Sequence, residues 1–79
     1  MMPRGERIKQ SELISRLPTL DIDEGIRIEN AGNKMFVNRN ASGVFVVQYD
    51  NEFLYLQTAR QVLSAVKSRF PKKCTVWAY

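Results

Sequence analysis

The chain has no histidine and a single cysteine, Cys74, among its 79 residues. These absences exclude Ser–His and Cys–His nucleophile pairs, histidine metal sites, an intramolecular disulfide and any cysteine-built metal site. Long apolar runs are missing as well. Val44–Val47 is as long as they get, far short of the roughly 20 residues of a membrane helix. Met1 to Gln10 holds no apolar stretch of the kind a secretory leader carries, so a cytoplasmic protein is expected. From Phe53 to Tyr79 there is no acidic residue, while Arg60, Lys67, Arg69, Lys72 and Lys73 all fall there. A one-signed final third attracts polyanions. The alternative is that Lys67, Arg69, Lys72 and Lys73 complement the carboxyl end of a helix dipole.

What is present describes an ordinary small globular chain. Apolar residues make up 44% and charged residues 25%, with a net charge of +4. A chain of this size buries about 60–65% of the surface its unfolded form exposes, so its core is small. We read residues 1–79 as one domain, with residues 1–5 frayed. Cys74 follows Lys72 and Lys73, whose charges would lower a thiol pKa. An inert free thiol is the bland alternative.

Glu6 to Leu17 has Ile8, Leu13, Ile14 and Leu17 at helical spacing and meets Pro18, which predicts a short amino-terminal helix over residues 6–17. Four strand patterns follow: Gly25–Asn30, Lys34–Asn40, Gly43–Tyr49 and Glu52–Thr58. Short connections at Ala31-Gly32-Asn33, Ala41-Ser42 and Asp50-Asn51 separate them and predict an antiparallel meander over residues 25–58. Thr58-Ala59-Arg60-Gln61 matches a capping box. The helix it opens, residues 59–70, places Ala59, Val62, Leu63, Val66 and Phe70 on one stripe and ends at Pro71. Thr75 to Tyr79 alternates like a short fifth strand at the sheet edge. The expected fold class is therefore α+β. A four-stranded antiparallel meander packs on a carboxyl-terminal amphipathic helix, with the amino-terminal helix and the fifth strand added.

Hairpin register assigns the faces. Two-residue turns at Asp50-Asn51 and Ala41-Ser42 put Phe36, Phe45, Val47, Leu54 and Leu56 on the helix-covered face. The second face then holds Met35, Val37, Arg39, Val44, Val46, Gln48, Phe53, Tyr55 and Gln57. We take a three-residue loop at Ala31-Gly32-Asn33, which sends Ile26 and Ile28 to the core and Arg27 and Glu29 to the second face; a two-residue loop at Gly32-Asn33 would reverse this.

The second face mixes aromatic, aliphatic, amide and guanidinium groups, and one helix cannot cover it. As a ligand platform, Phe53 and Tyr55 stack on bases. Arg27, Arg39, Gln48 and Gln57 supply charge and hydrogen bonds, while Lys67, Lys72 and Lys73 follow phosphates. Trp77 stands near the end of the chain as a further surface contact, or as a clip onto the sheet edge. As a structural face, the same residues lie under the amino-terminal helix or against a second copy. The leading expectation is a non-enzymatic nucleic-acid-binding module preferring single strands. It needs no cofactor, metal, membrane or small-molecule substrate, and a homodimer is compatible with it. The competing expectation is a protein-interaction module whose second face is an oligomer or partner interface.

Lys34-Met35-Phe36-Val37-Asn38-Arg39, Val44 to Tyr49 and Leu54 to Thr58 leading into the helix resemble the strands and helix entry of a known family. This is the single-stranded-DNA-binding transcriptional coactivator family called positive cofactor four. The likeness is one of layout over about Gly25 to Phe70. It implies dimerisation through the helix and single strands bound on a curved sheet, with Lys34, Phe36, Asn38, Arg39 and Gln48 nearest the nucleic acid. Phe36 is where this resemblance and the register above disagree. The chain departs from the family in its tight third-to-fourth connection, its amino-terminal helix and its aromatic carboxyl-terminal segment.

Overall fold

A computed structural model describes residues 6–30 and 32–78. The expected fraying of residues 1–5, Ala31 of the first hairpin connection and Tyr79 of the last strand lie outside the described residues. Strand β1 (Glu6–Ile8) leads into a 3-10 turn (Gln10–Glu12), helix α1 (Leu13–Arg16) and a second 3-10 turn (Leu17–Thr19). Strands β2 (Gly25–Asn30), β3 (Asn33–Arg39), β4 (Phe45–Tyr49) and β5 (Glu52–Leu56) follow, then helix α2 (Ala59–Arg69) and strand β6 (Thr75–Ala78). All six strands form one antiparallel sheet in the order β1-β6-β2-β3-β4-β5.

The meander and α2 form as the sequence leads one to expect. Tyr49 opposes Glu52 across the Asp50-Asn51 turn, and Asp50 takes the positive φ (57°) that such a tight turn requires at its first position. The capping box is closed: Thr58 Oγ1 accepts the Gln61 amide at 3.2 Å, and Gln61 Oε1 accepts the amides of Thr58 at 3.1 Å and Gln57 at 2.8 Å. Val62, Val66 and Phe70 are buried and Ala59 and Leu63 pack beside them, so the predicted stripe is the stripe that meets the sheet.

Four expectations need correction. Glu6–Ile8 is a strand, with Ile8 opposite Val76, a pairing that buries Ile8 in the core. The helical run then starts later and passes through Pro18, which sits in the first turn of a 3-10 segment where no amide is needed. Leu13 and Leu17 are buried, but Ile14 is 48% exposed. Second, β6 is an interior strand between β1 and β2. Third, Asn30 pairs with Asn33, so the first connection has two residues.

Fourth, β3 is turned over relative to expectation. Val37 opposes Val47 and Phe36 opposes Gln48. The cause is Asn40, whose Oδ1 accepts the amides of Ser42 and Val44, both at 3.0 Å, while its own amide donates to the Val44 carbonyl. That leaves a three-residue loop closed by Gly43 at φ 82°, a conformation glycine adopts without a Cβ penalty. One extra loop residue inverts every side chain of the strand. Met35, Val37 and Arg39 therefore belong to the core side and Phe36 to the other. The two register errors cancel at β2, where Ile26 and Ile28 are indeed buried.

The core holds Leu13, Leu17 and Leu20 from the amino-terminal turns together with Val62, Val66 and Phe70 from α2, over Ile8, Ile26, Ile28, Met35, Val37, Phe45, Val47 and Val76 of the sheet. α2 lies on β4 and β5, and α1 packs beside α2. Both helical segments thus cover the same side. Full burial of each large side chain is worth about 1.5–3 kcal/mol. Leu17→Ala is expected to cost about 2–5 kcal/mol in a urea titration, whereas Ile14→Ala should stay within about 0.5 kcal/mol of wild type. Equal effects would contradict this packing.

Candidate nucleic-acid interface

Because both helical segments lie on one side, the opposite face of the sheet is open. Its side chains fall into transverse rows, one residue per strand. The central row runs Arg7, Trp77, Arg27, Phe36, Gln48, Phe53, each opposite the next across β1, β6, β2, β3, β4 and β5. Cations and an amide alternate with aromatic rings along it. Strands lie about 4.8 Å apart, so successive aromatic positions, with one strand between them, stand roughly 10 Å apart. One flanking row holds Asn38, Val46 and Tyr55; the other holds Thr75, Glu29 and Lys34.

Exposure differs along the row. Phe53 is 54% and Tyr55 65% exposed, and Gln48 and Arg7 are exposed. Phe36, Val46, Trp77 and Arg27 are half-buried by their neighbours. The Arg27 guanidinium lies 5.5 Å from the centre of the Trp77 ring, a contact that favours a cation over an indole face. Arg27 Nε stands 3.0 Å from Glu29 Oε2 as an ion pair, yet its N–H is not aligned to make a hydrogen bond. Trp77 Nε1 likewise has no acceptor among the described residues, although the atom is shielded from solvent.

The candidate residues named from the sequence divide in three. Arg27, Gln48, Phe53, Tyr55 and Trp77 share the open face. Gln57 follows β5 and is exposed, its amide taken by the α2 cap. Lys67 is exposed on α2 and so belongs to the helical layer, across the sheet from the aromatics. Lys72 and Lys73 lie in the connection between α2 and β6. Lys73 borders a depression shared with Arg7 and Lys34.

Arg39 is the correction. Opposite Phe45 on the core side, it lies 4.7 Å from that ring's centre. It donates to the carbonyls of Gly43 at 3.0 Å, Pro18 at 3.1 Å and Leu20 at 3.3 Å. It ties the exit of the amino-terminal turns to the β3–β4 loop and is not on the open face. Cys74 follows the inert-thiol reading: partial burial pushes its thiol pKa up, the reverse of activation by Lys72 and Lys73.

Arg7, Lys34 and Phe36 were not among the residues chosen from face and charge patterns. Recognising Arg7 requires knowing that residues 6–8 are a strand, which no local pattern shows. Lys34 and Phe36 were indicated only by the family resemblance. Of its five positions, Lys34, Phe36, Asn38 and Gln48 lie on the open face and Arg39 does not. No helix of the described residues is long and apolar enough to cross a membrane. No family model, no curated protein and no solved structure matches the chain.

Arg39→Ala is expected to lower stability by about 2–3 kcal/mol, since three carbonyls lose a charged donor. Arg39→Lys should recover only part of this, because an ammonium cannot reproduce the planar fork. Thermal denaturation of both variants checks the assignment, and a silent Arg39→Ala would overturn it.

Proposed function

We propose that this protein is a non-enzymatic, cytoplasmic nucleic-acid-binding module that takes single strands on its open sheet face. The observation that carries the reading is the central row, where Trp77, Phe36 and Phe53 alternate with Arg27 and Gln48 on a face that neither helical segment covers. Aromatic rings stack on bases of any sequence, Phe53 from an exposed position and the half-buried Phe36 and Trp77 by the part of the ring they leave open. Interleaved guanidinium and amide groups hold phosphates and base edges. Duplex DNA hides its base faces, so such a row suits an unpaired strand. Among the described residues, Arg7, Arg27 and Lys34 share this face with Glu29, which is paired with Arg27, and Asp50 stands at its β4–β5 end. The layout resemblance to the positive cofactor four family points to the same ligand class.

Fluorescence anisotropy with a labelled single-stranded oligonucleotide tests the reading. Phe53→Ala and Trp77→Ala are each expected to weaken binding by about 5- to 150-fold, the equivalent of about 1–3 kcal/mol per stacked base. Absence of binding at low salt with tens of micromolar protein would end it.

A second reading, self-association, is favoured by β5. This edge strand is five residues long and carries Phe53, Leu54, Tyr55 and Leu56 with no lysine or proline, the devices that usually guard a sheet edge. The opposite edge, β1, has three residues and bears Glu6 and Arg7. If β5 joins two copies, wild type sediments as a dimer, Tyr55→Arg as a monomer, and neither binds the oligonucleotide. A wild-type monomer that binds the oligonucleotide removes this reading.

A further inference from the structure

At the end of the open face nearest the β2–β3 connection, two shallow depressions meet at Lys34. One is bordered by Arg7, Glu29, Lys73 and Thr75. The other is bordered by Phe36, Gln48 and Asp50. Both share Gly32, Asn33 and Lys34, so together they form a groove running across the strands beside the aromatic row. Its charges are unevenly placed. Arg7, Lys34 and Lys73 lie on it, Glu29 is neutralised by Arg27 at 3.0 Å, and Asp50 stands only at the β5 end. The row on the other side of the aromatics, Asn38, Val46 and Tyr55, carries no charge at all.

We infer that this groove seats the phosphodiester backbone of a bound single strand, with Arg7, Lys34 and Lys73 as its phosphate contacts. The strand then crosses the sheet perpendicular to the β-strands, its bases turned onto Trp77, Phe36 and Phe53 and its backbone on the β2–β3 side. This deepens the proposed function and rests on it. It makes the basic connection after α2 part of the site through Lys73, while Lys67 on the helical layer takes no part. The aromatic row sets the extent: three stacking positions roughly 10 Å apart correspond to a short footprint, within the range of about 4–16 nucleotides usual for sheet platforms.

The experiment measures oligonucleotide affinity at several salt concentrations. Each phosphate neutralised contributes about 0.7 to the slope of log K against log salt for a single strand. The Lys34→Ala, Lys73→Ala double variant is expected to lower the slope's magnitude by about 1.4, and Lys67→Ala to leave it unchanged. All three positions are exposed, so thermal unfolding should match wild type, which checks that the fold is intact. If wild type binds but the double variant keeps the full slope, or Lys67→Ala lowers it instead, the backbone runs elsewhere and the inference fails while the proposed function stands. If wild type binds no oligonucleotide, the proposed function fails and the inference with it. Adding a terminal phosphate to the oligonucleotide should change affinity by less than about threefold, as expected for a backbone passing through; a gain of about tenfold would make the groove a pocket for a chain end and overturn the inference.

Discussion

Leu17 and Val66 belong to one core. The amino-terminal turns bring Leu13, Leu17 and Leu20 to the same side of the sheet that α2 covers with Val62, Val66 and Phe70. Arg39 fixes this arrangement by donating to Pro18 and Leu20 from the end of β3. A chain this small has only enough apolar side chains for one well-packed layer. Most of the aliphatic side chains go to that one layer, which leaves the other face to aromatic rings, cations and amides with Val46 among them. Among the described residues, both helical segments pack on the core side, and the open face carries rings and cations.

The sheet gives those residues their order. β6 enters between β1 and β2, and this non-local pairing brings Trp77 and Arg7 into line with Arg27, Phe36, Gln48 and Phe53. Without it, Trp77 would sit at a loose end of the chain and Arg7 on a solvated turn. With it, six strands contribute one side chain each to a straight row, and the spacing between rings follows from strand separation alone.

Legibility in the sequence followed the range of the interactions. α2 and its cap were readable because Thr58, Gln61 and the Val62–Phe70 stripe lie within a few turns of one another. The β4–β5 hairpin was readable because a two-residue turn fixes its register. β3 was not, because Met35, Phe36 and Val37 are all apolar and alternation could not arbitrate between them. The deciding element was Asn40 holding two loop amides. β6 was readable as a strand from the alternation of Thr75 to Ala78. β1 and the interior place of β6 were hidden for another reason: three residues carry almost no local signal, and the β1–β6 pairing spans nearly the whole chain. The candidate site suffered accordingly. Arg27, Gln48, Phe53 and Tyr55 lie on the face to which register assigned them, and Trp77, read only as lying near the end of the chain, joins them there. Arg39 was misplaced by the inverted strand, and Arg7 was missed with β1.

The account turns on which face of the molecule meets the partner. Chemical shifts of labelled protein during titration with an unlabelled single-stranded oligonucleotide address this residue by residue. The account predicts movement of the Trp77 indole and the Phe36 and Phe53 rings, together with the Lys34 and Lys73 amides, while Arg60, Ser64 and Lys67 on α2 stay still. Shifts confined to α2, with the aromatic row unmoved, would contradict it.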